Sequence, residues 1–498
     1  MNSLDAIAAL RRVTFFGVLG DDELRRLASH CVVRRLRKDD LLFAEGDPCE
    51  GMYVVQSGAI KTFKMAENGR EQVLVIERAG STVGELPVFD GGNLPASAAA
   101  LEDSSLLFLP KREFLSLCRQ NSEVAFAVIR SLAWRLFMQR NVALNPGKIL
   151  VRATNWVGDG VMSLPALEAL RTRFPSAEVV LVAKPWVAEL YNHHPAVNRS
   201  IVYDSAGEHR GARGFMKLIE QIRAEDFDMA ILFQNAFHAA WMAWCARVPV
   251  RIGYELEGRG ALLTNSVPVP SPALYGHQSN YYLHLLFRAG LVERLDPVDR
   301  IHLNIQPNEK AWAARQLKDL GLEGPRFLVG LTPGAAFGPA KRWLLDRYAD
   351  LADRLIGALN ADVLIFGSQS EKSLAEDIAH MMEHTPTILA GETTLRQLMA
   401  MLAQCRLVIT NDSGSMHLAA ALGLPVVAVF GSTDENATGP VSPFARVVKQ
   451  PVPCSPCGLR ECPIDFRCMQ AVTVDKVYRT ALGLIKKYGV THDRPATG

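Results

Sequence analysis

The sequence predicts a multidomain chain in which a β-roll is followed by two α/β domains with parallel sheets. Short β-type runs between turn signals predict the first part, over 41–43, 52–55, 59–63 and 72–76, with Glu45-Gly46-Asp47-Pro48 and Ser57-Gly58 between them. Apolar strands alternating with amphipathic helices predict the rest. The 498 residues, 49% hydrophobic and 21% charged, are enough for about three domains and exclude a disordered or fibrous chain.

Taken in order, the roll is followed by a stretch over 111–142 without Gly or Pro, apolar at helical spacing, which reads as one or two helices. Asn145-Pro146-Gly147 then breaks the pattern and marks a domain boundary. Strand 149–152, a turn, a helix over 161–174 and strand 179–182 open the first α/β domain. The second repeats the alternation with strand 327–331, helix 344–359, strands 363–366 and 407–410, and a helix over 415–422. The junction is expected near 306–325. The domains are therefore placed at 1–144, 148–310 and 322–488.

Charge and targeting signals narrow the class. Lys and Arg number 54 against 52 Asp and Glu, so nothing points to a nucleic-acid partner. The amino terminus lacks the basic start and apolar core of an export signal. The most apolar window, 229–250, is interrupted by Gln234, Asn235, His238 and Arg247, and reads as a buried strand and helix rather than a membrane span. Nine cysteines suit a reducing compartment better than a disulfide scaffold.

Ligands of paired sheets bind beyond the carboxyl ends of the strands, so the turns there are the candidates for chemistry. The strand 407–410 runs into Asn411-Asp412-Ser413-Gly414 and a helix, whose free amides suit an anion. On its own that turn reads more simply as a helix cap by Asp412 or Ser413. A second turn, Thr332 through Trp343, offers small residues for close ligand approach and the cations Lys341 and Arg342. Together they read as a diphosphate cradle. In the first α/β domain, Trp156-Val157-Gly158-Asp159-Gly160 opens a helix and aims the Asp159 carboxylate at the crevice. There is no Gly-x-Gly-x-x-Gly fingerprint and no Walker lysine. A base opposite a cationic cradle suits group transfer from a nucleotide donor.

Three of these stretches carry a resemblance: Trp156-Val157-Gly158-Asp159 with Ser163-Leu164-Pro165, Pro333 through Trp343, and Asn411-Asp412-Ser413-Gly414 with Met416-His417. The segment 148–477 resembles family 9 glycosyltransferases, and within them the ADP-heptose:lipopolysaccharide heptosyltransferases, especially type II. The resemblance implies a GT-B fold of two Rossmann-like domains, no required cofactor or metal, and inversion at the anomeric carbon. It implies ADP-heptose as donor, a lipopolysaccharide core as acceptor, and peripheral contact with the inner membrane of a Gram-negative-type bacterium from its cytoplasmic face. Asp159 matches the general base and Lys341 the lysine that neutralises the leaving diphosphate. Asp412 matches the residue holding the donor heptose hydroxyls. Thr332, Ser413, Gly414 and His417 fall on the donor side, with Gln369 or Glu371 toward the ribose. Asn155, Asn235 and His238 fall on the acceptor side. His238 departs from the family, which often carries Lys or Arg there, and leaves the acceptor open. A family 9 enzyme using another nucleotide sugar is the alternative within enzymes. A cyclic-nucleotide-responsive signalling protein with an inactive transferase half is the alternative outside them.

The first part carries a second resemblance. Phe16-Gly17-Val18-Leu19, Glu45-Gly46-Asp47, Ser57-Gly58-Ala59-Ile60 and Gly84-Glu85-Leu86 resemble the cyclic-nucleotide-binding domain of catabolite-activator-type regulators. Gly84, Glu85 and Ser97 would line its ligand pocket. The arginine that pairs the cyclic phosphate is replaced by Pro95, which argues for a degenerate or differently liganded sensor over a binder of cyclic AMP or cyclic GMP. The helices over 113–140 could form a homodimer seam or pack on the barrel. Finally, Cys454-x-x-Cys457, Cys462 and Cys468 admit a structural metal, a redox pair or free thiols, the spacing lacking a second zinc half-site.

Overall fold

The computed structural model describes residues 3–17, 19–65, 71–129, 146–271, 276–292, 295, 297–324 and 326–488. The chain divides into two compact units, Met1–Asn145 with His284–Asp296, and Pro146–Leu283 with Pro297–Gly498.

In the first unit two antiparallel four-stranded sheets form the roll. One has the order Val32–Leu36, Ser104–Pro110, Gly51–Ser57, Thr82–Val83, and the other Leu41–Phe43, Ser97–Ala100, Ala59–Met65, Glu71–Arg78. Alternation along the strands buries both faces of the first sheet. Leu106 and Val55 point into the layer between the sheets with Phe43 and Ile60. Leu107, Leu109, Met52 and Val54 face a helical layer containing Leu10, Phe16 and Phe114. At the Ser57-Gly58 turn a side chain is excluded. Gly58 has φ 86°, and a Cβ there would fall 2.2 Å from Ser104 Oγ. The expected helices after the roll are Lys111–Gln120 and a second over 122–129. Phe114 of the first packs edge-on to Phe16 in the core, while Phe126 and Ile129 of the second are exposed. The rest of the expected seam, 130–140, lies outside the described residues.

The second unit holds two parallel six-stranded sheets, one per lobe. In the first lobe the strands are Lys148–Arg152, Glu178–Ala183, Arg199–Val202, Met229–Leu232, Val250–Tyr254 and Asn265–Val267 in chain order, arranged 3-2-1-4-5-6 across the sheet. In the second lobe Phe327–Thr332, Ala361–Ile365, Thr387–Ile388, Leu407–Asn411, Val426–Val429 and Ala445–Val448 take the same order. Strand order reverses between strands 1 and 4, and that crevice at the carboxyl edge is where such sheets take ligands. Near-continuous burial of the central strands reflects helices on both faces. Helix Leu345–Leu359 buries Tyr348, Leu351, Ala352 and Leu355 at helical spacing and stops at Asn360 in the left-handed region, which asparagine tolerates.

One expectation changes. The helix expected over 161–174 is two abutting helices, Val157–Met162 and Leu164–Arg173, because Pro165 has no N–H to continue the first. The stretch 306–325, expected as the junction, contains the helix Pro307–Asp319. That helix starts with a proline and a capping box in which the Gln306 amide donates to Glu309 Oε2 at 2.8 Å, and it buries Ala313 and Leu317.

Candidate active site

The second lobe presents its switch point as a fixed ion pair. Asp412 follows strand Leu407–Asn411 and Lys341 follows strand Phe327–Thr332, the two strands flanking the crevice. Lys341 Nζ donates to Asp412 Oδ2 at 2.6 Å. Thr433 Oγ1 donates to the same oxygen at 2.7 Å, and Thr438 Oγ1 approaches it at 3.5 Å. Asp412 is therefore not the cap of the following helix. Ser413 takes that role, its Oγ accepting from the Met416 amide at 3.4 Å. The loop carrying Lys341 is fastened by Asn411, whose Oδ1 accepts from the Trp343 amide and Tyr348 Oη, both at 3.0 Å, and whose Nδ2 donates to Pro333 O at 2.6 Å. Lys341 also lies over the Phe337 ring, 4.8 Å from its centroid. Two buried hydroxyls at this edge, Thr332 Oγ1 and Ser432 Oγ, have no hydrogen-bond partner among the described residues. Buried polar atoms of this kind point to a ligand that completes them.

The first lobe brings a single carboxylate to the same place. Asp159 lies in the first turn of helix Val157–Met162, and Tyr282 Oη donates to its Oδ1 at 3.2 Å. Burial pushes the Asp159 carboxyl above the usual range. The Tyr282 hydrogen bond and the Lys341 charge pull it back, and Asp412 adds to the rise. Asp159 thus senses both members of the opposite pair. A carboxylate raised in this way is a stronger base than a free one while staying within reach of a cation. Burial keeps the Tyr282 phenol protonated as a donor, its ionisation pushed far up.

The lobes meet through glycines. A Cβ on Gly158 would stand 3.0 Å from His417 Cδ2 and 3.6 Å from Gly414 Cα, and one on Gly414 would stand 3.2 Å from Val157 Cβ. Gly158 and Gly414 therefore serve as room for the opposite lobe. His417 is buried at this contact, and desolvation pushes its imidazole down to about 4, so it is neutral at pH 7.

The remaining candidates separate. Glu371 caps its own turn, Oε2 accepting from the Ser368 amide and hydroxyl at 2.8 Å, with its carboxylate against Gly334 of the cradle. Gln369 is exposed and lies against Gly391. Asn235 is held at both ends of its amide, donating to Tyr281 Oη at 2.8 Å and accepting from Arg259 Nη2 at 3.1 Å. Asn155 accepts from Arg152 Nη2 at 2.8 Å, and His238 Nε2 lies 3.3 Å from Tyr203 Oη.

In the first unit, Gly84 is left-handed and Glu85 is buried at the head of the short helix Leu86–Asp90. Ser97 Oγ accepts from the Glu45 amide at 3.0 Å, and Leu94 is buried with Phe43 and Val83. From Gly84 to Ser97 the chain has no arginine or lysine.

Residues 215–466 match the model of glycosyltransferase family 9 (heptosyltransferase), and residues 33–121 that of the cyclic nucleotide-binding domain. The lipopolysaccharide heptosyltransferase 2 of Escherichia coli strain K12 is 33% identical over 316 residues, 61% of this chain and 88% of that protein. The chain belongs to glycosyltransferase family 9. The lipooligosaccharide heptosyltransferase 2 of Haemophilus influenzae Rd is 31% identical over 314 residues, 60% of this family 9 chain and 88% of the relative. The solved structure of E. coli ADP-heptose lipopolysaccharide heptosyltransferase II superposes with a TM-score of 0.60 at 29% identity, covering 69% of this chain and 99% of that one. The family 9 part is thus an α/β glycosyltransferase preceded by a cyclic-nucleotide-binding-type roll.

In this family 9 glycosyltransferase the four late cysteines are unbridged thiols, Cys454 and Cys457 exposed, Cys462 half-buried and Cys468 buried. Among the described residues no three His, Cys, Asp or Glu side chains gather as a metal set. Their loop instead straps the carboxyl edge of the second lobe's sheet. The amides of Cys457 and Gly458 donate to Ser432 O at 3.0 and 2.8 Å, Ser455 Oγ donates to Gly431 O at 2.6 Å, and Arg460 O accepts from the Ala340 amide at 3.1 Å. Sequence reasoning missed Tyr282, Thr433, Thr438 and the fastening role of Asn411. Thr433 was within reach, since Gly431-Ser432-Thr433 closes the fifth strand of a doubly wound sheet, whereas nothing local marks Tyr282.

Proposed function

We propose that this chain is an inverting, metal-independent heptosyltransferase that moves heptose from ADP-heptose to the inner core of lipopolysaccharide. One observation carries the reading: a half-buried carboxylate, Asp159, opposes the Lys341–Asp412 pair and feels its charges. The donor diphosphate would lie by Lys341, with Thr332 and Ser432 offering their unpartnered hydroxyls. Asp412, oriented by Thr433 and Thr438, would accept from the heptose hydroxyls. As the acceptor oxygen attacks the anomeric carbon, its proton passes to Asp159 and the bond to the diphosphate oxygen breaks. Lys341 then stabilises the charge left on ADP. Attack opposite the leaving group inverts the centre.

An amphiphilic acceptor asks for a surface beside a bilayer. Among the described residues no helix is long and apolar enough to cross a membrane. Phe237, Trp241 and Trp244 stand exposed on one face of helix Phe237–Cys245, which supports peripheral contact with a bilayer. The roll serves in this reading as a regulatory element whose pocket, with Pro95 in place of a cation, does not hold a cyclic phosphate. Incubating the protein with ADP-heptose and defined lipopolysaccharide precursors and weighing the products tests the activity. A gain of one heptose on a core precursor is expected, and unchanged precursors alongside a heptosyltransferase that succeeds under the same conditions would reject it.

A further inference from the structure

At the carboxyl edge of the first lobe, neighbouring strand ends assemble a cationic corner that the reaction above does not use. Arg152 ends strand 1, Lys184 follows strand 2, Tyr203 follows strand 3, and His238 lies in the helix after strand 4. The Lys184 ammonium stands 3.8 Å from the centroid of the Tyr203 ring, and the Arg152 guanidinium stands 5.8 Å from it. The His238 ring stacks on Tyr203 at 5.6 Å with an interplanar angle of 9°.

Neither cation has a carboxylate partner among the described residues. Arg152, only 2% exposed, gives its Nη atoms to neutral oxygens, those of Ala153, Val182 and Asn155, and its Nε has no acceptor. Lys184, half-buried, donates to Ser205 Oγ. Asp204 is the carboxylate that acts on Lys184, but its Oδ1 is turned to the amides of Ala206 and Gly207 at 3.1 and 2.9 Å. Two positive charges drawn out of water without an anion are costly to hold, and an oxyanion would complete them. Burial and the two cations also keep the His238 imidazole neutral, its pKa pushed down, so it can hydrogen-bond without adding a third charge.

We propose that Lys184 and His238, backed by the buried Arg152, form a subsite for an oxyanion carried by the acceptor, either a phosphate ester or a sugar-acid carboxylate. It rests on the reading of this lobe as the acceptor side. The cation expected at position 238 is supplied here by two other strand ends that converge on the same ring. Lys184 and His238 reach the solvent side and meet the anion. Arg152 holds positive potential behind them and fixes Asn155, three residues into the turn that leads to Asp159.

The test uses the full chain with its donor site filled by ADP, and titrates in mannose 6-phosphate, glucuronate and the neutral methyl mannoside at low salt. Either anionic sugar should bind at least about tenfold tighter than the neutral one, the size of a charge-assisted hydrogen bond. The tighter of the two identifies the group. Lys184→Met should abolish that preference with ADP affinity unchanged, and Lys184→Arg should restore most of it. Arg152→Gln should weaken the preference too, and if that variant fails to fold the Lys184 series stands alone. Equal binding of charged and neutral sugars, or a preference unmoved by Lys184→Met, overturns the subsite. Anion binding at Lys184 in a protein that transfers no heptose would reject the activity and leave the subsite standing. Heptose transfer with no anion preference would do the reverse.

Discussion

The two α/β lobes repeat one strand order and load it differently. In both, the crevice lies between strands 1 and 4, but the second lobe places a lysine on one side and an aspartate on the other, joined at 2.6 Å and held by two threonines. The first lobe places one carboxylate after strand 1, held by a tyrosine from a distant helix, with uncompensated cations at strands 1 and 2. Topology thus decides where a site is and leaves the choice of chemistry to a few side chains at strand ends. A neutral pair suits a donor that brings its own charge, and a lone, partly desolvated base suits a hydroxyl that must lose a proton.

The sharpest way to break this division is to neutralise the base. Asp159→Asn should lower kcat by about 10²–10⁴-fold while ADP-heptose affinity holds, measured by steady-state rates and calorimetry; a parallel loss of donor binding would place Asp159 on the wrong side. The same variant should be more stable at neutral pH. The folded-state pKa of Asp159 is raised, so the folded state binds a proton more tightly than the unfolded one. Stability is then lost as pH rises from the ordinary carboxylate range through the raised value. Asparagine removes that loss, and a melting temperature near pH 7 below that of the parent protein would contradict the argument.

Next in size is Lys341→Met. It should cut kcat about 10²–10³-fold, weaken ADP, and leave Asp412 buried without its cation, at a cost of up to about 3–5 kcal/mol softened by Thr433 and Thr438. Denaturant unfolding and ADP titration measure both. Gly158→Ala should have a smaller effect. Its methyl must displace His417 or hold the lobes apart, so activity should fall about tenfold with ADP affinity intact; full activity would mean the contact gives way freely. The smallest expected change is Tyr282→Phe, which removes a bond that lowers the Asp159 pKa. The acid limb of the kcat profile should move to higher pH, and a shift to lower pH would reverse the assigned role.

Much of this was legible because each piece is local. Alternating apolar strands and helices show the doubly wound lobes, and Asp159, Lys341 and Asp412 each sit in a turn just beyond a strand. Tyr282 was not legible, since it reaches Asp159 from 123 residues away and carries no turn signal. Arg152 and Lys184 read as ordinary strand ends until the sheet order sets them beside Tyr203. Gly158 and Gly414 stand in turns that the sequence marks as helix starts, but only the fold shows that each makes room for the other lobe.

The account turns on the charges of the two lobes acting on each other across the crevice. The pH dependence of kcat in Lys341→Met, compared with the parent protein, tests this most directly. Lys341 lowers the Asp159 pKa and masks Asp412, so its removal should carry the acid limb to higher pH. An acid limb that stays where it is would show that Asp159 and Lys341 do not serve one reacting centre.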